Sequence, residues 1–125
     1  MPVSGSSRGD HKMVLVVRGE LRLTAGKAAV QVAHGAVMLY QAAERRSTAA
    51  LKAWLAEGQR KIAVVAPTLA DLEEIQRRAR AAGVPCLFVE DAGLTEVPAG
   101  TRTVLGLGPA RAEAIDALTR HLPLL

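Results

Sequence analysis

Five consecutive apolar residues, Met13-Val14-Leu15-Val16-Val17, constrain the fold more than any other feature of the chain. A strand with one solvated face alternates apolar and polar side chains. An unbroken β-favouring run of this length reads as a central strand covered on both faces. Such a strand needs layers above and below it, and the following residues supply them. Arg18 to Gly26 reads as a loop, with Thr24-Ala25-Gly26 as the approach to a helix. Lys27 to about Arg46 lacks proline and is rich in alanine, which favours helix. Ser47 reads as the cap of a second helix through Leu51, Trp54 and Leu55, which stops at Gly58. Lys61 to Ala66 is a second strand, ended by Pro67.

Thr68-Leu69-Ala70-Asp71 has the form of a capping box, with Asp in the usual Glu or Gln position. The helix it opens puts Leu69, Leu72, Ile75, Ala79 and Ala82 on one face and stops at Gly83. Pro85 to Val89 is a third strand, Glu90 to Gly100 a long loop, and Thr101 to Leu107 a fourth strand. Gly108-Pro109 reads as the opening of a last helix with Ile115, Leu118 and Leu122 as its apolar stripe. Helices that cross over between strands predict an α/β fold with helices on both faces of the sheet. The third and fourth strands have no helix between them, so the sheet is expected to be mixed.

A length of 125 residues allows one domain. Residues 1–11, rich in serine and glycine, read as a flexible tail, leaving 12–125 as the domain. Sixteen Lys and Arg against twelve Asp and Glu give a net charge of +4, which favours a polyanionic partner. With only Tyr40, Trp54 and Phe88 as aromatics, base stacking is poorly served, so a nucleic acid would be held by its phosphates. The single cysteine, Cys86, excludes an internal disulfide framework, and in an apolar strand it reads as a small hydrophobe. No run approaches the roughly 20 apolar residues of a membrane span, and no apolar secretory segment opens the chain. A soluble, cytoplasmic protein is expected.

The chemistry concentrates in two segments. On the first helix, at about 100° per residue, Gln31 lies about 40° from Lys27 and His34 about 20° to its other side. A cation, an amide and an imidazole thus form one narrow polar stripe among small and apolar residues, where a solvated face would carry Glu–Lys pairs. Lys27 also faces the positive end of the helix dipole, so a phosphate or an acidic side chain should compensate it. The second segment is Asp91-Ala92-Gly93-Leu94-Thr95, directly after the third strand, where α/β folds place ligands. Asp91 there is either a candidate base and cation partner or the first residue of an Asx turn. Thr101 and Thr103 alternate onto one face at the start of the fourth strand.

Other sites fail on their context. Gly5-Ser6-Ser7-Arg8-Gly9 has the letters of a hydrolase elbow without the strand and helix it needs, and Arg8-Gly9-Asp10 is a chance tripeptide. Gly26-Lys27 lacks the rest of a P-loop, and Gly106-Leu107-Gly108 lacks the third glycine of a dinucleotide fingerprint. His11, His34 and His121 have no metal-ligand spacing. Beyond the tail the only serine is Ser47, so no serine nucleophile is expected.

These residues, taken together, resemble the archaeal and eukaryotic type 2 peptidyl-tRNA hydrolases. The resemblance rests on Lys12 to Arg18, Gly26-Lys27-Ala28-Ala29 with Gln31 and His34, and Trp54 with Glu57-Gly58-Gln59 and Lys61. It continues through Asp91-Ala92-Gly93, Thr95, Pro98, Gly100-Thr101, Thr103-Val104-Leu105, Gly108-Pro109, Ile115-Asp116 and His121-Leu122. It implies a single three-layer α/β/α domain with a four-stranded mixed β-sheet, a homodimer, and hydrolysis of the ester linking a peptide to tRNA, with no metal or other cofactor. It implies catalytic roles for Lys27, Asp91 and Thr95, with Gln31, His34, Thr101 and Thr103 binding substrate. Val32-Ala33 replaces the family's frequent Cys-Ser, Leu94 stands where a basic residue is common, and Glu96 replaces a common Gln. The alternatives are a non-catalytic RNA-binding module on the same fold and a small-molecule enzyme that binds phosphate at the Lys27 helix. The complete set of Lys27, Asp91 and Thr95 favours the hydrolase over both.

Overall fold

The computed structural model describes residues 10–93 and 96–125. The apolar run lies in strand β1 (His11–Arg18), an interior strand of a four-stranded sheet. β2 (Lys61–Ala66) pairs with it in parallel on one side. β4 (Arg102–Arg111) pairs antiparallel on the other, and β3 (Cys86–Glu90) pairs antiparallel with β4 at the edge. The order is β2-β1-β4-β3, so the sheet is mixed as expected. β1, β2 and β3 run in one direction, and their carboxyl ends share one edge of the sheet.

Alternation along β1 sorts its side chains between two cores. Met13, Leu15 and Val17 meet α1 (Ala25–Arg46) and α2 (Ala49–Ala56) through Leu39, Ala43, Leu51 and Trp54. Val14 and Val16 meet α3 (Leu69–Ala81) and α4 (Ala112–Thr119) through Leu72, Ile75, Ala79, Ile115 and Leu118. The result is an α/β/α sandwich whose central strand is apolar on both faces for the reason read in the sequence.

The local signals hold for β2 and for α3, where the side chain of Thr68 accepts from Asp71 N and that of Asp71 accepts from Thr68 N. Four details differ. β1 starts at His11, whose backbone N–H donates to Glu57 Oε1 at 3.0 Å, so this residue lies in the sheet and not in a tail. The first long helix begins at Ala25, capped by Thr24, which places Lys27 at its third position. Thr48, not Ser47, caps α2; Ser47 closes α1 in a left-handed conformation at φ 51°.

The fourth difference is the largest. Gly108-Pro109 does not open a helix but lies within β4, and α4 starts at Ala112. The ladder explains it: Lys12 pairs with Ala110 and Val14 with Leu107, so Gly108 and Pro109 together oppose Met13. At such a bulge a residue without an N–H costs no ladder bond. Gly108, at φ 104°, supplies the bend, and its N–H bonds to Pro85 O at 2.8 Å.

α1 lies close to the sheet because Gly35 faces it. A Cβ there would stand 3.0 Å from Leu15 Cδ1 and 3.3 Å from Val89 Cγ2. Gly35→Val should therefore lower stability by about 1–3 kcal/mol through overpacking, against a helix-propensity gain of only about 0.5 kcal/mol. Urea unfolding checks this; an unchanged midpoint would mean that α1 is not seated on β1 and β3.

Candidate active site

The start of α1 and the loop after β3 meet at the edge where β1, β2 and β3 end. Thr24 caps the helix, its Oγ1 accepting from Lys27 N at 3.4 Å. The Glu96 carboxylate lies at this terminus, accepting from Thr24 N at 3.0 Å and from Thr24 Oγ1 at 2.5 Å. Lys27 then reaches across the loop, and its ammonium donates to Asp91 Oδ1. Two carboxylates thus offset the conflict between the Lys27 cation and the positive end of the helix.

Asp91 is 5% exposed, so its charge needs partners. Backbone bonds fix its position: Asp91 N donates to Thr101 O at 2.9 Å, and Gly100 N donates to Asp91 O at 2.8 Å. Its Oδ1 accepts from Lys27 and, at 3.4 Å, from Gln31 Nε2. Its Oδ2 accepts from Gly93 N at 2.6 Å. The last bond is an Asx turn, so Asp91 is both a turn residue and a cation partner. Only glycine fits at position 93, because φ is 82° and a Cβ would lie 2.5 Å from Ala99 N.

The Lys27 ammonium, chiefly, holds the Asp91 carboxyl below the usual carboxylate range. The Gly93 N–H and the nearby His34 act in the same direction, while burial opposes them and loses. The Thr24 hydroxyl and N–H likewise lower Glu96.

These groups open onto a cleft of about 480 Å³. Lys27, Gln31, His34 and Asp91 form its polar part, and Val30, Val37 and Met38 its apolar wall. Val30 and Val37 are more than half exposed, an unusual state for side chains of this kind on a helix that covers a sheet. Thr103 is fully buried, and its Oγ1 donates to Gln31 Oε1 at 2.5 Å.

Of the residues singled out in the sequence, Lys27, Gln31, Asp91 and Thr103 are therefore joined in one network, and His34 lines the cleft beside it. Thr101 stands apart: its hydroxyl donates to Pro98 O at 2.7 Å, and only its backbone supports Asp91. Thr95 lies outside the described residues. The sequence reading missed Glu96 as a tie between the loop and α1; its signal was a carboxylate within a few residues of Asp91. Among the described residues, no cluster of three or more His, Cys, Asp and Glu side chains is placed to hold a metal ion.

A family model described as Peptidyl-tRNA hydrolase PTH2 matches residues 11–125. The chain is 44% identical over 115 residues to the peptidyl-tRNA hydrolase of Thermococcus onnurineus, covering 92% of this chain and 98% of that protein. It is 45% identical over 115 residues to that of Methanopyrus kandleri, with the same two coverages. Against the mitochondrial peptidyl-tRNA hydrolase 2 of Bos taurus it is 43% identical over 116 residues, 93% of this chain and 65% of the bovine protein. The match takes in the start of α1 and the loop after β3, and the chain belongs to the peptidyl-tRNA hydrolase PTH2 family.

Proposed function

We propose that this chain cleaves the ester between a peptide and the 3′-terminal ribose of tRNA, with water as the nucleophile and no metal. The observation that carries the reading is the covered, ionised Asp91 in contact with Lys27 at the floor of an open cleft. Family membership fixes which ester the reading names. The same reading makes the enzyme a homodimer of the cytoplasm; no helix among the described residues is long and apolar enough to cross a membrane.

The chemistry follows from the inventory of lone pairs. A carboxylate offers about four acceptor positions. Lys27 and Gln31 take two on Oδ1, and Gly93 takes one on Oδ2. The remaining position on Oδ2 can accept from a water and aim its oxygen at the ester carbonyl. Attack forms the C–O bond and moves the carbonyl electron pair onto oxygen, and the Lys27 ammonium offsets that charge. As Lys27 turns to the oxyanion, Asp91 loses its main stabilising partner and becomes a better acceptor for the water's proton. Collapse of the intermediate breaks the bond to the ribose 3′ oxygen, which takes the proton and leaves as a hydroxyl. Thr95 orients the water or the carboxylate. His34 holds the ribose or the terminal adenine. Thr101 supports the substrate side of the loop.

Lys27→Ala and Asp91→Asn should each lower kcat/KM on N-acetyl-aminoacyl-tRNA by about 10²–10⁴-fold, the range for a lost charge stabiliser or proton acceptor. Cleavage by the wild type should survive a chelator and should spare free aminoacyl-tRNA. Salt-sensitive tRNA binding without any cleavage would overturn the hydrolase in favour of a binding module.

The pH dependence has a definite sign. Asp91 is lowered in the folded protein, so its ionised form persists at pH values where an ordinary carboxyl is already half protonated. Its contribution to stability is complete above about pH 5, a unit above the ordinary carboxyl value, and is lost progressively as pH falls through the lower folded value. An acid limb of kcat/KM that depends on Asp91 should lie in the same window. Lys27→Met removes the largest cause of the shift, so the Asp91 carboxyl should titrate at higher pH, as followed by ¹³C NMR. An unmoved titration would show that Lys27 does not set the charge state of Asp91.

A further inference from the structure

We infer that Thr103 is a positioning residue that acts through the Gln31 amide to hold the Asp91 carboxylate at one angle to the cleft. The inference rests on the hydrolase reading, with Asp91 at the reacting centre. It assigns Thr103, and in large part Gln31, a role other than substrate contact. Thr103 is fully buried and Gln31 is 3% exposed, so neither can be the main surface that a ribose or an adenine meets. Gln31 reaches the cleft wall beside Asp91, and Thr103 lies outside the cleft lining.

The chain has a direction. Thr103 Oγ1 carries one proton and has two acceptors, Gln31 Oε1 at 2.5 Å and Val89 O at 3.4 Å. The nearer one takes it. With Oε1 engaged by a donor, the amide must present its NH₂ to Asp91, and Nε2 lies 3.4 Å from Oδ1. The opposite amide orientation would set Oε1 against an ionised carboxylate that has no proton to donate. Each end of the chain therefore enforces the same orientation, and no buried side-chain polar atom among the described residues lacks a partner. Gln31 also suits the place by being neutral. A second cation there would compete with Lys27 for Oδ1, and a carboxylate would repel it.

Geometry links the chain to the reaction. Gln31 and Lys27 lie four residues apart on α1 and converge on the same oxygen, Oδ1. Gly93 holds the other oxygen. Three donors from two elements fix the plane of the carboxylate, and hence the direction of the one open acceptor position. Without the Gln31 donor, Oδ1 is held only by the flexible Lys27 side chain, which the proposed chemistry requires to move.

The test separates positioning from packing and from substrate contact. Thr103→Val keeps shape and removes the hydroxyl, Thr103→Ser keeps the hydroxyl, and Gln31→Met removes the amide. None of them removes the charges that act on or near Asp91, which are Lys27 and His34 on α1 and Glu96 in the loop. Thr103→Val and Gln31→Met should each lower kcat on N-acetyl-aminoacyl-tRNA by about 10–100-fold, the cost of a misplaced reacting group, with KM little changed. In the free proteins the Asp91 carboxyl should titrate at higher pH in both variants and near the wild-type value in Thr103→Ser, which should also recover kcat. A raised KM with kcat intact would overturn the inference in favour of direct substrate contact. Unchanged kcat and titration in Thr103→Val, or a Thr103→Ser protein no better than Thr103→Val, would overturn it in favour of packing alone. Because the titration needs no substrate, it is decided separately from the hydrolase reading, which fails if the wild type does not cleave.

Discussion

The contact between Lys27 and Asp91 joins two segments 64 residues apart, the first turn of α1 and the end of β3. The Asp91 side chain is 2% exposed and that of Lys27 is 12% exposed. Removing ions from water to this degree is costly before any attraction is counted. Replacing buried ion pairs of this kind by apolar residues of similar size is often neutral or stabilising. The pair is therefore poorly explained as a device for stability. It is better explained as a means of keeping one ionised carboxylate and one ammonium close together at the wall of a cleft.

Most of the surrounding structure serves that juxtaposition. Gly35 lets α1 approach β1 and β3, and Gly106 lets Leu39 of the same helix lie over β4, where a Cβ would meet Leu39 Cδ1 at 2.8 Å. Two close approaches about one helical turn apart fix the height of α1 above the sheet, and with it the reach of Lys27 and Gln31. On the other side, the loop after β3 is tied at three points. Asp91 and Gly100 exchange backbone bonds with their neighbours, Gly93 turns under the carboxylate, and Glu96 grips Thr24. A site assembled from a helix terminus and a loop thus takes its precision from the rigid sheet beneath both.

The elements that sequence alone located well are those decided by neighbouring residues. The β1 run, the β2 run and the Thr68–Asp71 box each carry their own signal, and the polar stripe of Lys27, Gln31 and His34 follows from helical spacing. The misplaced features depend on partners far away in the chain. Gly108-Pro109 looks like a helix start until β1 is laid beside it, because only the spacing of Lys12 and Val14 against Ala110 and Leu107 makes room for a bulge. Ser47 and Thr48 are both plausible caps, and the left-handed φ of Ser47 decides between them. Within the stripe, spacing alone could not rank Gln31 against His34. The sheet does so, covering Gln31 and leaving His34 exposed.

Under the proposed chemistry the same pair also resolves a difficulty with Asp91 as a proton acceptor. A carboxylate held below its ordinary range is a weak base, and efficient acid–base groups titrate near the working pH. The lower its pKa is held, the weaker its affinity for the water's proton. The largest part of that lowering comes from one movable ammonium, and a smaller part from the fixed Gly93 N–H. When Lys27 transfers its charge stabilisation to the ester oxygen, that part of the affinity returns to Asp91 at the moment the water must lose its proton. The fixed donors, Gly93 and the Gln31 amide held by Thr103, then keep the carboxylate in place while its strongest partner is engaged elsewhere. A site built only from fixed donors would leave Asp91 too weak a base. One built only from Lys27 would leave it unheld during the step that uses it.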